Sequence, residues 1–457
     1  MLNERFFSRI SLRASAAFAA CLFAATALSA GQYDEIDRYA LNAPPGVESS
    51  IDSLVDYLVR PAHNEVEKLR AIFRWITANI VYDSEGFFRD FTAQFDISPA
   101  EEKPQPAAET GAEAAGEALT PEMVLTKRIA NCDGYSLLME AMAHRIQQMQ
   151  DLTQKATGLE IIKIKGFAKG FGYRVASGFD KSNHAWNAVK IDGQWRMIDC
   201  TWGAGHPDEK GQFVPEFEDY YFLTPPAELI YTHFPEEPAW QLTGKPVTKD
   251  EFIGLTFLWP AFFKYGMRLM DHPGAIIETG DELEITVQTP DSLLLDADLI
   301  EGNRLLEGQY TFVQSDQENS RIEALFPRPG EYVLRLYSRN AGSGEPFKET
   351  LNYKVKASAG KGEDTGFPLV YEEFLKNRAC LYEPLQGTLK RGSIVLFRIK
   401  VPNAANTAVV VDDRWEQLAS VDGVFSGQAT LDGMAVAVYA RFRGSLNYDC
   451  LLEYQLQ

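Results

Sequence analysis

The stretch NHAWNAVKIDGQWRMIDCTWGAG, residues 183–205, decides the fold. It reads as one β-hairpin. Residues 183–191 and 195–202 are rich in β-formers, and Asp192-Gly193 between them is a two-residue turn signal. With that turn as the loop, Ile191 faces Gln194, Trp186 faces Asp199 and His184 faces Thr201. His184 and Asp199 then lie diagonally opposite on one face, within reach of long side chains. A carboxylate beside an imidazole fixes its tautomer and stabilises the imidazolium, so the pair reads as part of a triad that lacks only a nucleophile. The plainer alternative is a polar pair on a solvated sheet face. The flanking tryptophans weigh against it, because they imply a face lined with aromatics. Cys200 alternates away from Asp199 and is expected to be a buried thiol on the opposite side of the strand.

The candidate nucleophile is Cys132. Asn131-Cys132-Asp133-Gly134-Tyr135 precedes a helical pattern of Leu137, Leu138, Ala141, Met142, Arg145, Ile146 and Met149. That puts Cys132 at or near a helix N-terminus, where unpaired N–H groups and the helix dipole favour a thiolate. Gly134 lets the backbone approach closely. A lone cysteine is more often a small buried hydrophobe, and spacing alone leaves both readings open.

Four blocks in order carry a resemblance: NCDGYSLLMEAMAHR (131–145), GFAKGFGY (166–173), the hairpin at 183–205, and the aromatic, proline-rich YYFLTPPAELIYTHFP through WQL (220–242). Together they are similar to the transglutaminase-like superfamily, and within it to the kyphoscoliosis peptidase group. The resemblance implies a papain-like α+β catalytic domain with Cys132 as nucleophile, His184 as base and Asp199 as its orienter. It also implies immunoglobulin-like modules after that domain. The sequence departs from the superfamily at Asn131, where a small apolar residue such as Val is usual. A helix over 65–80, with Val66, Leu69, Ile72, Phe73 and Ile76 on one face and NIVYD (79–83) at its end, matches one that packs behind the catalytic helix. Trp75 on it is either a core residue or part of the cleft lining.

Residues 1–30 have the form of a secretory signal: Arg5, Arg9 and Arg13, then an apolar run from Ala14 to Leu28 and small residues. This implies a periplasmic or secreted, bacterial-type location, with no membrane span after signal cleavage. The formal net charge is −20, and −22 without this segment, which argues against nucleic acid and anionic membranes as partners. A second amphipathic segment spans 51–59. Residues 98–119, rich in Ala, Glu and Pro, read as a flexible insertion. Short strands are expected at 160–165 and 172–177, with Lys169 and Tyr173 at the surface or the cleft mouth. Glycines 166, 170 and 172 signal bends or close backbone approach. His144 and His206 read as structural or exposed, with His206 the only other histidine near the site. No CxxC or HExxH spacing suggests a metal, and no cofactor is implied.

From about Glu251 the pattern becomes period-two strands between turns: 283–287, 310–313, 321–325, 332–337 and 351–355, then 394–400, 408–411, 434–442 and 450–456. A Gly-rich linker at 358–366 separates the sets, and residues 331–357 weakly parallel 434–457. The resulting fold class is an α+β papain-like/transglutaminase-like catalytic domain (31–245) followed by two all-β immunoglobulin-like sandwich domains (246–357 and 366–457). Cys380 and Cys450 are candidates for a disulfide in an oxidising compartment, although sequence does not give their separation.

The functional expectation is a secreted or periplasmic cysteine protease or transamidase that acts on protein or peptide amide bonds through a thioester. Cys132 attacks, His184 moves the proton and Asp199 orients His184. Its substrate would be a protein, a peptide or a cell-wall polymer. The Cys132 backbone N–H is the expected oxyanion donor. The alternative is a non-catalytic adaptor of the same fold that binds a partner through its sandwiches. A third reading, an acetyltransferase acting on small amines, is weakened by the long β tail. Hydrolysis versus transamidation, the substrate and the oligomeric state stay open.

Overall fold

The computed structural model describes residues 31–84, 118–151, 159–208, 210–316 and 318–457. The leader read at 1–30 and nearly all of the insertion read at 98–119 lie outside the described residues.

The N-terminal part is an α+β unit. Helix Ile51–Leu58 is capped by Ser50, whose hydroxyl accepts the Ser53 N–H at 3.1 Å. It buries Ile51, Leu54, Val55 and Leu58, the i, i+3, i+4, i+7 stripe of an amphipathic helix. Helix Glu65–Asn79 is capped by Asn64 and buries Leu69, Ile72, Phe73 and Ile76. Trp75 on this helix is fully buried, and its indole N–H donates to Glu48 Oε1 at 3.2 Å. It is a core residue. Both helices pack on the long helix Cys132–Asp151, which lies across a five-stranded antiparallel sheet. The strand order is Phe222–Thr224, Gln194–Ile198, His184–Ile191, Glu160–Ala168, His233–Pro235. One apolar cluster fills the space between the helices and this sheet. Burying a large apolar side chain there contributes about 1.5–3 kcal/mol.

The hairpin forms in the expected register, with Ile191 opposite Gln194 and Asn187 opposite Ile198. It is shorter than the sequence suggests. The second strand ends at Ile198, and Cys200–Ala204 is a helix, not a continuation of the strand. The reason is local. The Asp199 carboxylate accepts the Thr201 and Trp202 N–H groups and caps a helix start, which outweighs the β-propensity of the Thr-Trp pair. Cys200 is buried, but from the first turn of that helix and not from the back of a strand. Residues 172–177 form turns instead of the expected strand. Gly172 there has φ +77°, a conformation that breaks an extended run.

The tail holds two sandwiches of the same plan. In the first, a sheet of order 257–258, 348–357, 330–340, 293–301, 304–305 faces a sheet of order 268–269, 282–288, 319–325, 311–316. In the second, the orders are 369–370, 449–456, 436–442, 404–411, 414–417 and 380–383, 394–400, 424–430, 419–421. Each plan adds one parallel pairing: Ile276–Thr279 on Lys348–Ala357, and Thr388–Leu389 on Asp449–Leu456. The weak parallel between 331–357 and 434–457 thus corresponds to equivalent strand pairs in the two sandwiches. Phe312 of the first sandwich stacks on Phe367 at 5.3 Å and lies 5.6 Å from Phe374, joining the core of the second. Cys380 and Cys450 are free thiols. The proposed disulfide does not form: the Cys380 thiol donates to the Ser315 carbonyl of the first sandwich at 3.4 Å, and the Cys450 thiol donates to the Leu452 carbonyl at 3.7 Å.

Candidate functional site

Cys132 opens helix Cys132–Asp151 and is half-buried. Asn131 supplies the cap: its Oδ1 accepts the Gly134 N–H at 3.2 Å, and its carbonyl accepts the Tyr135 N–H at 3.1 Å. The departure from the superfamily's small apolar residue therefore has a local role. A Cβ on Gly134 would sit 2.7 Å from Ala130 Cβ and 3.2 Å from Val124 Cγ2. Only glycine lets helix Pro121–Lys127 close on the cysteine helix here. The Tyr135 hydroxyl donates to the Ile80 carbonyl at 2.5 Å and ties the first turn to the end of the helix behind it. Tyr82, from the NIVYD segment, is half-buried near both Cys132 and Asp199. Burial and those two groups push its phenol well above the usual range.

His184 begins the first strand of the hairpin and is 8% exposed. Its Nε2 lies 2.7 Å from Asp199 Oδ2, and Cys132 stands near enough to the same imidazole to favour its charged form. The three residues picked out from sequence thus come together at one site, with the hydrogen bond between His184 and Asp199 formed. Burial by itself lowers the His184 pKa. The Asp199 carboxylate, its hydrogen bond and Cys132 outweigh burial and raise it to about 10. Asp199 is 1% exposed and accepts four hydrogen bonds. Oδ1 takes the Thr201 N–H at 2.8 Å and the Trp202 N–H at 3.0 Å, and Oδ2 takes His184 and His233. Burial alone would favour the neutral acid. The two imidazoles overcome it and hold the carboxyl well below the ordinary range.

His233 is the residue that sequence reasoning missed. Its Nε2 lies 3.0 Å from Asp199 Oδ2, and its Nδ1 lies 2.8 Å from the Thr232 hydroxyl. Burial and the neighbouring His184 cation lower its pKa, to about 4, against the pull of Asp199. A neutral ring that donates from Nε2 and accepts at Nδ1 satisfies both contacts. Strand His233–Pro235 brings it there by pairing with the end of Glu160–Ala168. Gly166 makes that pairing possible, since a Cβ would lie 2.2 Å from the Phe234 carbonyl oxygen. The only sequence signal was an unassigned histidine within the block 220–242. His206 instead pairs with Glu216 at the surface, and His144 is exposed.

Aromatic rings enclose the site. His184 lies 5.5 Å from Trp202 and 6.0 Å from Trp186, and Trp202 lies 4.5 Å from His233. The flanking tryptophans do line the face that carries the histidine. His184, Asp199 and His233 are also close enough to ligate one ion, their donor atoms lying within 4.8 Å of one another. Both imidazole nitrogens, however, are directed at a single carboxylate oxygen, and the second oxygen caps a helix. That arrangement serves a hydrogen-bond network better than a metal.

Lys169 is not at the surface. It is 1% exposed; its Nζ donates to the Leu255 carbonyl at 2.9 Å and lies 4.6 Å from the Phe252 ring. Burial pulls its pKa down to about 7. Tyr173 stacks on Phe179 in the same aromatic cluster. Both residues fasten the segment leading to the tail against the α+β unit.

Comparison with known proteins places these features. Residues 249–368 match a family described as a KY-like, immunoglobulin-like domain. The chain is 28% identical over 331 residues to the kyphoscoliosis peptidase of Homo sapiens, covering 72% of this chain and 43% of that protein. It is 27% identical over 357 residues to a LIM and transglutaminase domain protein of Caenorhabditis elegans, covering 71% of this chain and 44% of that one. It is 26% identical over 181 residues to cytokinesis protein 3 of Schizosaccharomyces pombe, covering 36% of this chain and 20% of that one. The chain thus resembles the kyphoscoliosis peptidase group, as the four blocks implied, and spans less than half the length of these relatives. The relatives correct the expectation of a periplasmic or secreted bacterial protease or transamidase. They are human, nematode and yeast proteins, and one is named for cytokinesis.

Proposed function

We propose that this chain is an adaptor that keeps a papain-like, transglutaminase-like unit and holds a protein partner through its sandwich tail. The observation that carries the reading is where the family match lies. It falls on the immunoglobulin-like segment 249–368, and the sandwich after it repeats the same plan behind a shared aromatic joint. A yeast relative is named cytokinesis protein 3, which adds cytokinesis as a setting. A second reading is favoured by one observation, the hydrogen-bonded pair His184 and Asp199 with Cys132 beside the imidazole. In it, Cys132 is the nucleophile of a transglutaminase-like acyltransferase, with His184 and Asp199 as its proton-handling pair.

Alkylation of Cys132 by iodoacetamide across pH 4 to 9, read by mass spectrometry in the wild type and in His184→Ala, separates the two. The adaptor reading expects labelling that rises as for an ordinary thiol and is unchanged by the substitution. Rapid labelling well below pH 8 that slows in His184→Ala would overturn it in favour of the second reading.

A further inference from the structure

A cavity of about 520 Å³ opens where the two sandwiches meet, within the ~300–1,000 Å³ range of ligand sites. One wall is strand Leu293–Glu301 and the loop through 305–310; the other is Leu369–Val370 and the start of helix Glu372–Lys376. The strand pairs with Arg304–Leu305 only at Ile300 and Glu301, so its earlier residues run along the cavity without a strand neighbour there, with the Ala297 carbonyl accepting the Thr311 hydroxyl and the Leu299 carbonyl accepting the Leu306 N–H. Its pattern there is alternating. Leu295, Ala297 and Leu299 point into the core, while Asp296 and Asp298 share the outer face.

These two carboxylates have no ion-pair partner among the described residues. Asp296 accepts only the neighbouring Ala297 N–H, at 2.9 Å. The guanidinium directly across from Asp298, that of Arg335, turns instead to Glu349 at 3.8 Å. Arg339 at the cavity wall is already engaged, with its charge on Glu372 and its plane 4.8 Å from the Phe347 ring. Asp296 is exposed and Asp298 half-buried, and their two like charges on one strand face repel each other, a repulsion that a cation would relieve. Around the carboxylates stand the exposed apolar side chains Leu305, at 52%, and Leu369, at 41%, with the half-buried Phe347 ring. Paired negative charge inside an apolar rim fits a Lys or Arg carried between apolar residues. A second copy of this chain, at net charge −20, fits poorly.

We propose that the cavity between the sandwiches is the docking site of the adaptor, and that it takes an extended basic-apolar peptide segment of a partner protein, whose cation meets Asp296 and Asp298. The assignment rests on the adaptor reading. Because Asp296 and Asp298 are on the first sandwich and Leu369 on the second, both must keep their relative placement for binding.

The test uses the full chain and two fluorescein-labelled peptides, LKVRLKVG and its acidic counterpart LEVELEVG, read by fluorescence anisotropy. The basic peptide is expected to bind at least tenfold more tightly than the acidic one and to weaken with added salt. Asp296→Asn with Asp298→Asn, isosteric changes checked by an unshifted melting curve, lowers its affinity about tenfold. Leu369→Ala lowers it about threefold. Removing two acids outside the cavity, Glu35→Gln with Glu122→Gln, leaves it unchanged. Three results would overturn the proposal: no binding of the basic peptide, equal loss in both double variants, or self-association of the chain that the Asp296/Asp298 variant abolishes. The peptide assay does not involve Cys132 and the alkylation assay does not involve the cavity, so the docking site and the adaptor reading fail separately.

Discussion

His233 should make the α+β unit acid-sensitive, and the size of the effect follows from its surroundings. Its side chain is fully buried, and its folded pKa is about 4 against 6.5 for a free imidazole. Between pH 6.5 and 4 the unfolded chain therefore binds a proton that the native chain excludes. The native state loses stability as pH falls through this window. A shift of this size corresponds to ~3 kcal/mol, because one pKa unit is ~1.4 kcal/mol. His184 has the opposite sign. With a folded pKa raised to about 10, its stabilisation is fully present below pH 6.5 and disappears as pH rises through 10. Subtraction isolates His233: urea unfolding of the wild type and His233→Gln is compared at pH 7.5 and at pH 4. Five of the seven tryptophans (Trp75, Trp186, Trp195, Trp202 and Trp240) lie in the α+β unit, so fluorescence reports mainly on it. The wild type is expected to lose ~3 kcal/mol more than the variant on acidification. A difference below ~1 kcal/mol, or a gain, would refute the neutral, buried His233 described here. Imidazole resonances give a direct check, with His233 neutral and His184 charged at pH 6.

Other consequences can be measured as simply. Asp199→Ala removes the acceptor of four hydrogen bonds in a buried site and should cost about 3–5 kcal/mol in the same urea assay, with Asp199→Asn costing less. Gly166→Ala drives a methyl to 2.2 Å from the Phe234 carbonyl oxygen and should destabilise by at least about 1–3 kcal/mol, seen as a lowered thermal midpoint. Phe312→Ala empties the joint between the sandwiches; it should cost about 3–5 kcal/mol and broaden the distance distribution between spin labels placed one on each sandwich. Denatured without reductant, Cys132, Cys200, Cys380 and Cys450 should all take iodoacetamide, and a protected pair at 380 and 450 would contradict their placement as free thiols.

What the sequence disclosed depended on how local the determining physics was. Cys132 at a helix start, the turn at Asp192-Gly193 and the register that puts His184 near Asp199 are set within a few residues. The switch from strand to helix at Asp199 was less legible, because two local signals compete there and the capping carboxylate wins over the β-formers Thr201 and Trp202. His233 was invisible by spacing, since it is 34 residues from Asp199 and reaches it only through sheet pairing. Strand Leu293–Glu301 was missed for a similar reason. Its period-two signal is masked at Leu293-Leu294-Leu295, where Leu294, on the outer face, is buried at a cavity it shares with Phe374 of the second sandwich. The free thiols at 380 and 450 follow from what each faces, the Ser315 carbonyl for Cys380 and the Leu452 carbonyl for Cys450, which spacing does not carry.

The parallel pairings that close each sandwich have a mechanical consequence. Ile276–Thr279 enters beside the departing strand Lys348–Ala357, and Thr388–Leu389 beside Asp449–Leu456. The chain first meets each outgoing strand through a short antiparallel contact, Phe257–Leu258 or Leu369–Val370, which tension peels open, and behind it comes the parallel pair. Tension along the chain then loads each parallel pair in shear, and its hydrogen bonds must yield together instead of peeling one by one. Coupled through Phe312, the two modules bear such a load in series, and the tail can transmit force as well as position.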